Sequence, residues 1–262
     1  MASADELLRE GDLDGARAAL VEIVRSRPND VEARMFLFQL FAVTGEWKKA
    51  RLQLDTLAQV SPEAQMLSVA YGQAIAAEGV RAAFFLDGGD VPVHGSDGGW
   101  ASDLAFSLAA FAQGDSDAGD EARDRAFNAA PETPGTIDGV AFDWIADADG
   151  RFGPVLEAII GGTWGIVPFD VIAKITSTGV RDLRDLVWYP VQIMFKNDQS
   201  VAAMLPARYP GTETSSDNQE RLARVTSWSN GSSGDAGRGQ RLLSLSTGDD
   251  IDLLSLRSLV FD

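Results

Sequence analysis

The sequence predicts a multidomain α+β chain: an N-terminal α-α superhelix of stacked helix pairs over 1–132, then a small, mainly β domain over 133–262. Three observations predict it. The stretch MFLFQLFAVTGEW (35–47) is apolar almost all the way round a helix and stops at Thr44-Gly45. A helix apolar on every side must be covered by neighbours. Small and apolar residues recur at one fixed offset on both sides of it. Beyond PETPGTIDG (131–139) the texture changes from Ala-rich helix to β-branched and aromatic runs, a composition break that marks a domain boundary.

The offset is 34 residues. Gly11-Asp12 recurs as Gly45-Glu46, Ala16 as Ala50, Leu20 as Leu54 and Pro28 as Pro62. That is the period of tetratricopeptide (TPR) helix pairs. Each position has a physical role in such a pair. Gly45 ends the first helix at a tight turn, Ala50 is small where helices approach, Leu54 fills the gap between pairs, and Pro62 sits near a helix start where its missing N–H costs nothing.

Helices are expected at 4–10, 13–26, 30–43 and 47–59. Another follows at 63–77, with Ser61 as N-cap. Gly72 and Gly79 carry the register on, and the repeat then breaks. Residues 80–86 form a short apolar piece and 87–99 a Gly-rich loop. Gly114 and Pro131 are 17 apart, as are Gly11 and Pro28, so 100–112 and 117–129 form a last, diverged pair. Strands are expected at 140–146, 154–160, 163–168, 186–195 and 201–206, with Asn197-Asp198 as the turn between the last two. Residues 169–175 suit a helical turn or a strand, and 221–228 an ambiguous strand. Residues 230–239 read as a flexible loop, and the tail, at 241–245 and 251–261, adds a strand and a mixed end.

Composition bounds function. There is no Cys, and the net charge is −17, from 39 acids against 22 bases. Disulfides and thiolate metal sites are excluded. The charge argues against nucleic acid and against an anionic membrane surface. The absence of a long apolar run argues against a bilayer span. MASADELLREGD has no basic n-region, so the expected location is cytoplasmic.

Candidate chemistry is sparse. His94, the single histidine, sits in the Gly-rich loop and reads as a polar loop residue. Asp147-Ala148-Asp149-Gly150 resembles part of a calcium loop, but Ile145 and Leu156 stand where ligands belong. A strand ending in an Asp-Gly turn is the better reading. Gly161-Gly162-Thr163-Trp164-Gly165 lacks the Lys-Ser/Thr of a phosphate loop and reads as a hairpin or bulge, and Gly237-Arg238-Gly239 is similar. The pairs Asp182/Asp185 and Asp249/Asp250 are expected from so acidic a composition. No catalytic, cofactor or metal residue is assigned. What remains is a binding surface. The first helix of each pair lines a concave groove, and the register places Glu32, Met35 and Gln39 there, then Met66, Val69 and Gln73, then Leu104 and Leu108. This lining suits an amphipathic helix.

The blocks LLREGDLDGARAAL (7–20), MFLFQLFAVTGEW (35–47), FDWIADADGRFGPVLE (142–157), DLRDLVW (182–188), RYPGTE (208–213) and RGQRLL (238–243) resemble the ImpE/TagJ family, accessory proteins of bacterial type VI secretion systems. The resemblance runs from about residue 5 to the end. It implies a TPR-like N-terminal domain, a family-specific C-terminal domain and no enzymatic activity. It also implies a partner, a short helix of the small contractile-sheath subunit, and action near the AAA+ ATPase that recycles contracted sheaths. Two rival readings are an enzyme housed in the C-terminal domain and an assembly scaffold acting through self-association or baseplate contact.

Overall fold

The computed structural model describes residues 3–96, 98–231 and 234–262. Helices come first: α1 (Ala4–Glu10), α2 (Leu13–Ser26), α3 (Val31–Val43), α4 (Trp47–Val60), α5 (Glu63–Asp87), α6 (Trp100–Ala112) and α7 (Ser116–Ala129). Their starts are written in the sequence. The side chains of Asp12, Asp30 and Asp115 accept from the backbone N–H groups of Gly15, Ala33 and Ala118, satisfying donors that have no partner within the helix. Ser3 and Glu6 form a capping box on α1. The recurring glycines close the first helix of each pair. Gly11, Gly45 and Gly114 have φ of 84°, 70° and 80°, a left-handed turn that a Cβ would strain. Ala16 and Ala50 are fully buried five residues later. The same place in the last pair is Gly119, where a Cβ would lie 2.5 Å from the Phe111 ring. The TPR-like repeat therefore extends through the diverged pair.

The sequence reading divides 63–86 at Gly79, whereas α5 is one continuous helix of 25 residues. A single internal glycine costs only about 1 kcal/mol relative to alanine. Burial of Glu78 just before it and of Arg81 and Phe84 beyond it carries the helix through. Of the 87–99 loop, residue 97 lies outside the described residues. Residues 91–94 lie along a strand edge, with Ile166 N donating to Pro92 O at 2.9 Å and His94 N to Ile166 O at 2.8 Å.

Strands follow: β1 (Gly135–Ile137), β2 (Val140–Phe142), β3 (Ile145–Asp147), β4 (Val155–Ile160), β5 (Thr163–Pro168), β6 (Ile172–Thr176), β7 (Trp188–Phe195) and β8 (Ser200–Pro206). A short helix α8 (Asn218–Arg221) then precedes β9 (Thr226–Gly231), β10 (Gly234–Gly239), β11 (Leu242–Leu245), β12 (Asp250–Asp252) and β13 (Ser258–Phe261). An eight-stranded antiparallel sheet runs β2-β1-β13-β6-β7-β8-β4-β5, beside a three-stranded sheet β12-β11-β3 and the hairpin β9–β10. Several expectations change here. The boundary stretch 131–139 contains β1. The strand expected at 140–146 divides at Asp143-Trp144 into β2 and β3, which enter different sheets. Residues 169–175 are both things at once, a 3-10 turn at Phe169–Val171 leading into β6. Of the loop expected at 230–239, residues 234–239 form β10, paired with β9, and residues 232 and 233 lie outside the described residues. The tail separates into β11, β12 and β13.

Along β7 the residues Tyr189, Val191, Ile193 and Phe195 are buried, while Gln192 and Met194 face outward. The inward set joins a cluster inside the sheet domain with Leu243, Leu253 and Leu259. A second cluster joins Phe38, Leu40 and Leu104 of the helices to Phe152, Trp164 and Trp188 of the β region. The helix-to-strand change is thus a change of texture over one continuous apolar interior. Every residue from Leu37 to Val43 is buried, as so apolar a helix requires.

Candidate functional site

The concave face of the helical repeat is already filled, by the chain's own residues 182–187. Their 3-10 turn is capped by Asp185, whose carboxylate accepts from the N–H groups of Arg181 (2.8 Å) and Asp182 (3.0 Å). Arg184 N donates to Gln39 Oε1 at 3.1 Å, and its Nε to the Tyr71 hydroxyl at 2.9 Å. The guanidinium lies over the Tyr71 ring, 4.9 Å from its centre, and 3.6 Å from the Met35 sulfur. An ion pair with Asp182 completes its contacts. Met35 and Gln39, expected on an open groove, are instead the seat of this turn. Trp188 follows it, packing on Trp47 and Tyr71 at 5.8 and 5.7 Å between ring centres.

Beneath the turn lies a buried ionic lattice. Arg81 of α5 donates to both oxygens of Glu157 on β4, at 2.7 and 2.8 Å, and to Arg208 O at 3.0 Å. Trp164 Nε1 donates to Glu157 at 2.8 Å and Trp188 Nε1 to Glu78 at 3.1 Å. Arg241 bridges Glu157 and Asp147, and Tyr209 OH donates to Asp147 at 3.1 Å. Arg208 reaches back to Val43 O at 2.8 Å, at the end of α3. Burial pushes the Glu157 carboxyl up, but the two guanidiniums outweigh it and hold the group down at about 2. Asp147, with Arg241 opposing burial less effectively, is pushed up to about 6. Burial also raises Glu78, against the pull of Arg81. Such an array is expensive to desolvate and specifies one geometry. It fastens sheet to helices.

The Asp147-Ala148-Asp149-Gly150 stretch, read as a strand ending in a turn, belongs to this lattice. Asp147 is taken by Arg241. Asp149 pairs with Arg151 at 2.6 Å and accepts from Gly237 N at 2.9 Å. Among the described residues no group of three or more His, Asp or Glu side chains could hold a metal ion. Gly161-Gly162 turns β4 into β5, Gly237-Arg238-Gly239 lies in β10, and Asp249 and Asp250 serve the β11–β12 turn through Thr247 and Ser244.

The other candidates separate. Leu104 and Leu108 are fully buried within the helical packing and line no groove: the face given to a partner by register is covered by the chain itself. Met66 and Val69 of α5 are 84% and 63% exposed. Gln73 is exposed on the same face, since positions 66, 69, 70 and 73 align on a helix. This edge meets a cleft of about 340 Å³ between α5 and the sheet, lined by Ala70, Gln73, Gly162, Pro190, Ala202 and Met204. Sequence reasoning missed the sheet wall, although the outward phase of β7 was legible as a period of two. Glu32 lies elsewhere, on the rim of a groove of about 530 Å³ among α1, α2 and α3.

A model of the ImpE protein family matches residues 139–260, and a tetratricopeptide-repeat model matches residues 7–70. The type VI secretion system accessory component TagJ of Pseudomonas aeruginosa PAO1 is 39% identical over 261 residues, spanning 99% of this chain and 91% of that protein. This chain belongs to the ImpE family. A crystal structure of protein VPA1032 from Vibrio parahaemolyticus superposes with a TM-score of 0.87 over 99% of this chain and 97% of that one, at 19% identity, and so shares its fold. The resemblance read from the sequence blocks is borne out. Within this ImpE chain five of the six blocks meet in space. Residues 35–47 supply Gln39 and Val43, 142–157 supply Asp147 and Glu157, 182–188 supply Arg184 and Trp188, 208–213 supply Arg208 and Tyr209, and 238–243 supply Arg241. The signature by which the family is read is largely the fastening between helices and sheet. No described helix is long and apolar enough to cross a membrane.

Proposed function

We propose that this chain is a non-enzymatic, cytoplasmic adaptor of a type VI secretion system. It binds a helical segment of the small contractile-sheath subunit and brings it to the AAA+ ATPase that recycles contracted sheath. The observation that carries the reading is the apolar cleft between α5 and the sheet, continued by exposed Met66 and Val69. An amphipathic helix laid there would cover both side chains, a gain of about 1.5–3 kcal/mol for each one fully buried. The net charge of −17 would speed capture of a basic segment more than it would tighten the complex.

The test is titration of the small sheath subunit against Met66→Asp and Val69→Asp variants. We expect binding to weaken about tenfold or more in each. Unchanged affinity in both would remove the cleft from the account, and no affinity in the unaltered chain would remove the partner.

A further inference from the structure

Toward the end of α5, away from Met66 and Val69, the residues Glu78, Arg81, Ala82, Phe85 and Leu86 recur at helical spacing and share one face. They wall a crevice of about 270 Å³, bounded opposite by Arg151, which precedes β4, and by Gly211 and Glu213, which follow β8. Its floor is charged and its lip is apolar. Glu78 and Arg81 are 6% and 5% exposed, whereas Leu86 is 74% exposed.

The charges lining it are not matched. Arg81 gives its Nε and Nη2 to Glu157, and Arg151 is held by Asp149. The two carboxylates have no such partner. Glu78 accepts from Trp188 Nε1 at 3.1 Å, but its other oxygen has only Arg81 Nη1, at 3.5 Å, the long limit of a hydrogen bond. Glu213 is half-buried and makes no hydrogen bond or ion pair among the described residues. Its stem lies over the Gly45 turn, where a Cβ would sit 2.7 Å from Glu213 Cγ. Arg208 attracts both carboxylates, yet it donates to Val43 O and Arg221 O and pairs with neither. Burial pushes the Glu78 carboxyl up, Arg81 pulls it back, and the Glu213 charge adds to the rise. The two acids therefore oppose each other across the crevice. α5 also ends at Asp87 with no basic residue in its last turn, so the negative pole beside Leu86 is uncompensated.

The complement is a cation with donors for two carboxylates and a stem that suits Phe85 and Leu86. The volume admits one long side chain and falls below the usual range of small-molecule sites. A guanidinium forks to two acceptors where an ammonium is a single point charge. We propose that this crevice is a socket for one arginine side chain of another protein, its guanidinium between Glu78 and Glu213 and its methylenes on Phe85 and Leu86. The site does not rest on the sheath reading.

Trp188 reports on the socket, because its indole N–H is bonded to Glu78. The probe is acetyl-arginine amide, titrated into the isotope-labelled full chain and followed by the Trp188 indole N–H resonance. Acetyl-citrulline amide, of the same shape without the charge, is the control. We expect a saturable shift with the arginine probe at millimolar concentration, and affinity at least about tenfold lower for the citrulline one. Glu213→Gln loses no partner within the chain, so it should leave the unfolding midpoint unchanged while weakening arginine binding about tenfold. Val69→Asp, in the other cleft, should leave binding unchanged. An unmoved Trp188 resonance, an equal response to citrulline, or full affinity in Glu213→Gln would overturn the proposal. So would agmatine binding more than about tenfold tighter than the capped arginine, because the occupant would then be a free small cation and not a protein side chain.

Discussion

Replacing Glu157 by Gln tests whether the ionic lattice fastens the two halves. The carboxylate is about 1% exposed and accepts two hydrogen bonds from Arg81, one from Trp164 and one from Arg241. Glutamine keeps the shape but removes the charge that two buried guanidiniums share. It also turns one acceptor into a donor facing them. Breaking one partner out of a buried ion pair costs about 3–5 kcal/mol. For a chain of this size that lowers the melting temperature by roughly 10 °C. Thermal and urea unfolding, followed by circular dichroism and by Trp164 and Trp188 fluorescence, would measure it. The combined change Arg81→Met, Glu157→Leu and Arg241→Met removes the three charges at the centre of the site but leaves Asp147 and Glu78 without their arginines, and should recover part of the loss. A loss below about 1 kcal/mol for Glu157→Gln would refute the reasoning and assign the fastening to apolar packing alone.

Three further outcomes follow from the geometry. Arg184→Ala removes the bonds to Tyr71 and the stacking on its ring, while the backbone bond to Gln39 remains; it should cost about 1–3 kcal/mol and make 181–188 the first segment cut in limited proteolysis. Glu157, held at about 2 against an ordinary 4.5, gives stability that is fully present above pH 4.5 and lost as pH falls toward 2. Asp147, pushed up to about 6 from 3.8, acts oppositely: it costs stability above pH 6 and that cost, about 3 kcal/mol, is relieved as pH falls from 6 to 4. Urea titrations across pH should therefore show a gain between pH 7 and 5 that Asp147→Asn abolishes, and an acid loss that Glu157→Gln abolishes. Gly119→Val sets a branched side chain against the Phe111 ring, where even a Cβ would lie 2.5 Å away; overpacking there should cost about 1–3 kcal/mol, read as a lower unfolding midpoint.

Local chemistry made the helical half legible. The Gly-Asp pairs announce both a left-handed stop and the next N-cap, and Ala16 and Ala50 mark close approach, so period and boundaries could be read together. α5 was read short because a glycine inside a helix looks the same in sequence whether the chain breaks there or runs on; only burial of Glu78 and Arg81 against the sheet decides. The β half was less legible because its strands are short and its turns come from polar residues with partners far along the chain. Asp147 finds Arg241 and Glu157 finds Arg81, pairings that no spacing reveals. The groove assignment failed for the same reason. The register correctly turned Met35 and Gln39 toward the concave face, but nothing in the local pattern says that Arg184, 145 residues beyond Gln39, already sits there. Met66, Val69 and Gln73 stayed exposed because the buried contact of α5 with the sheet is made farther along the helix, through Glu78, Arg81 and Phe84.

Hydrogen–deuterium exchange on the complex with the small sheath subunit tests the central claim most directly. Binding in the α5 cleft predicts slowed exchange at 66–73 and in the facing strands around 190 and 202–204, with 31–39 and 182–188 unchanged because that contact is already made within the chain. Protection at 31–39 with accelerated exchange at 182–188 would contradict it, for the sheath helix would then be displacing the Arg184 turn from the concave face.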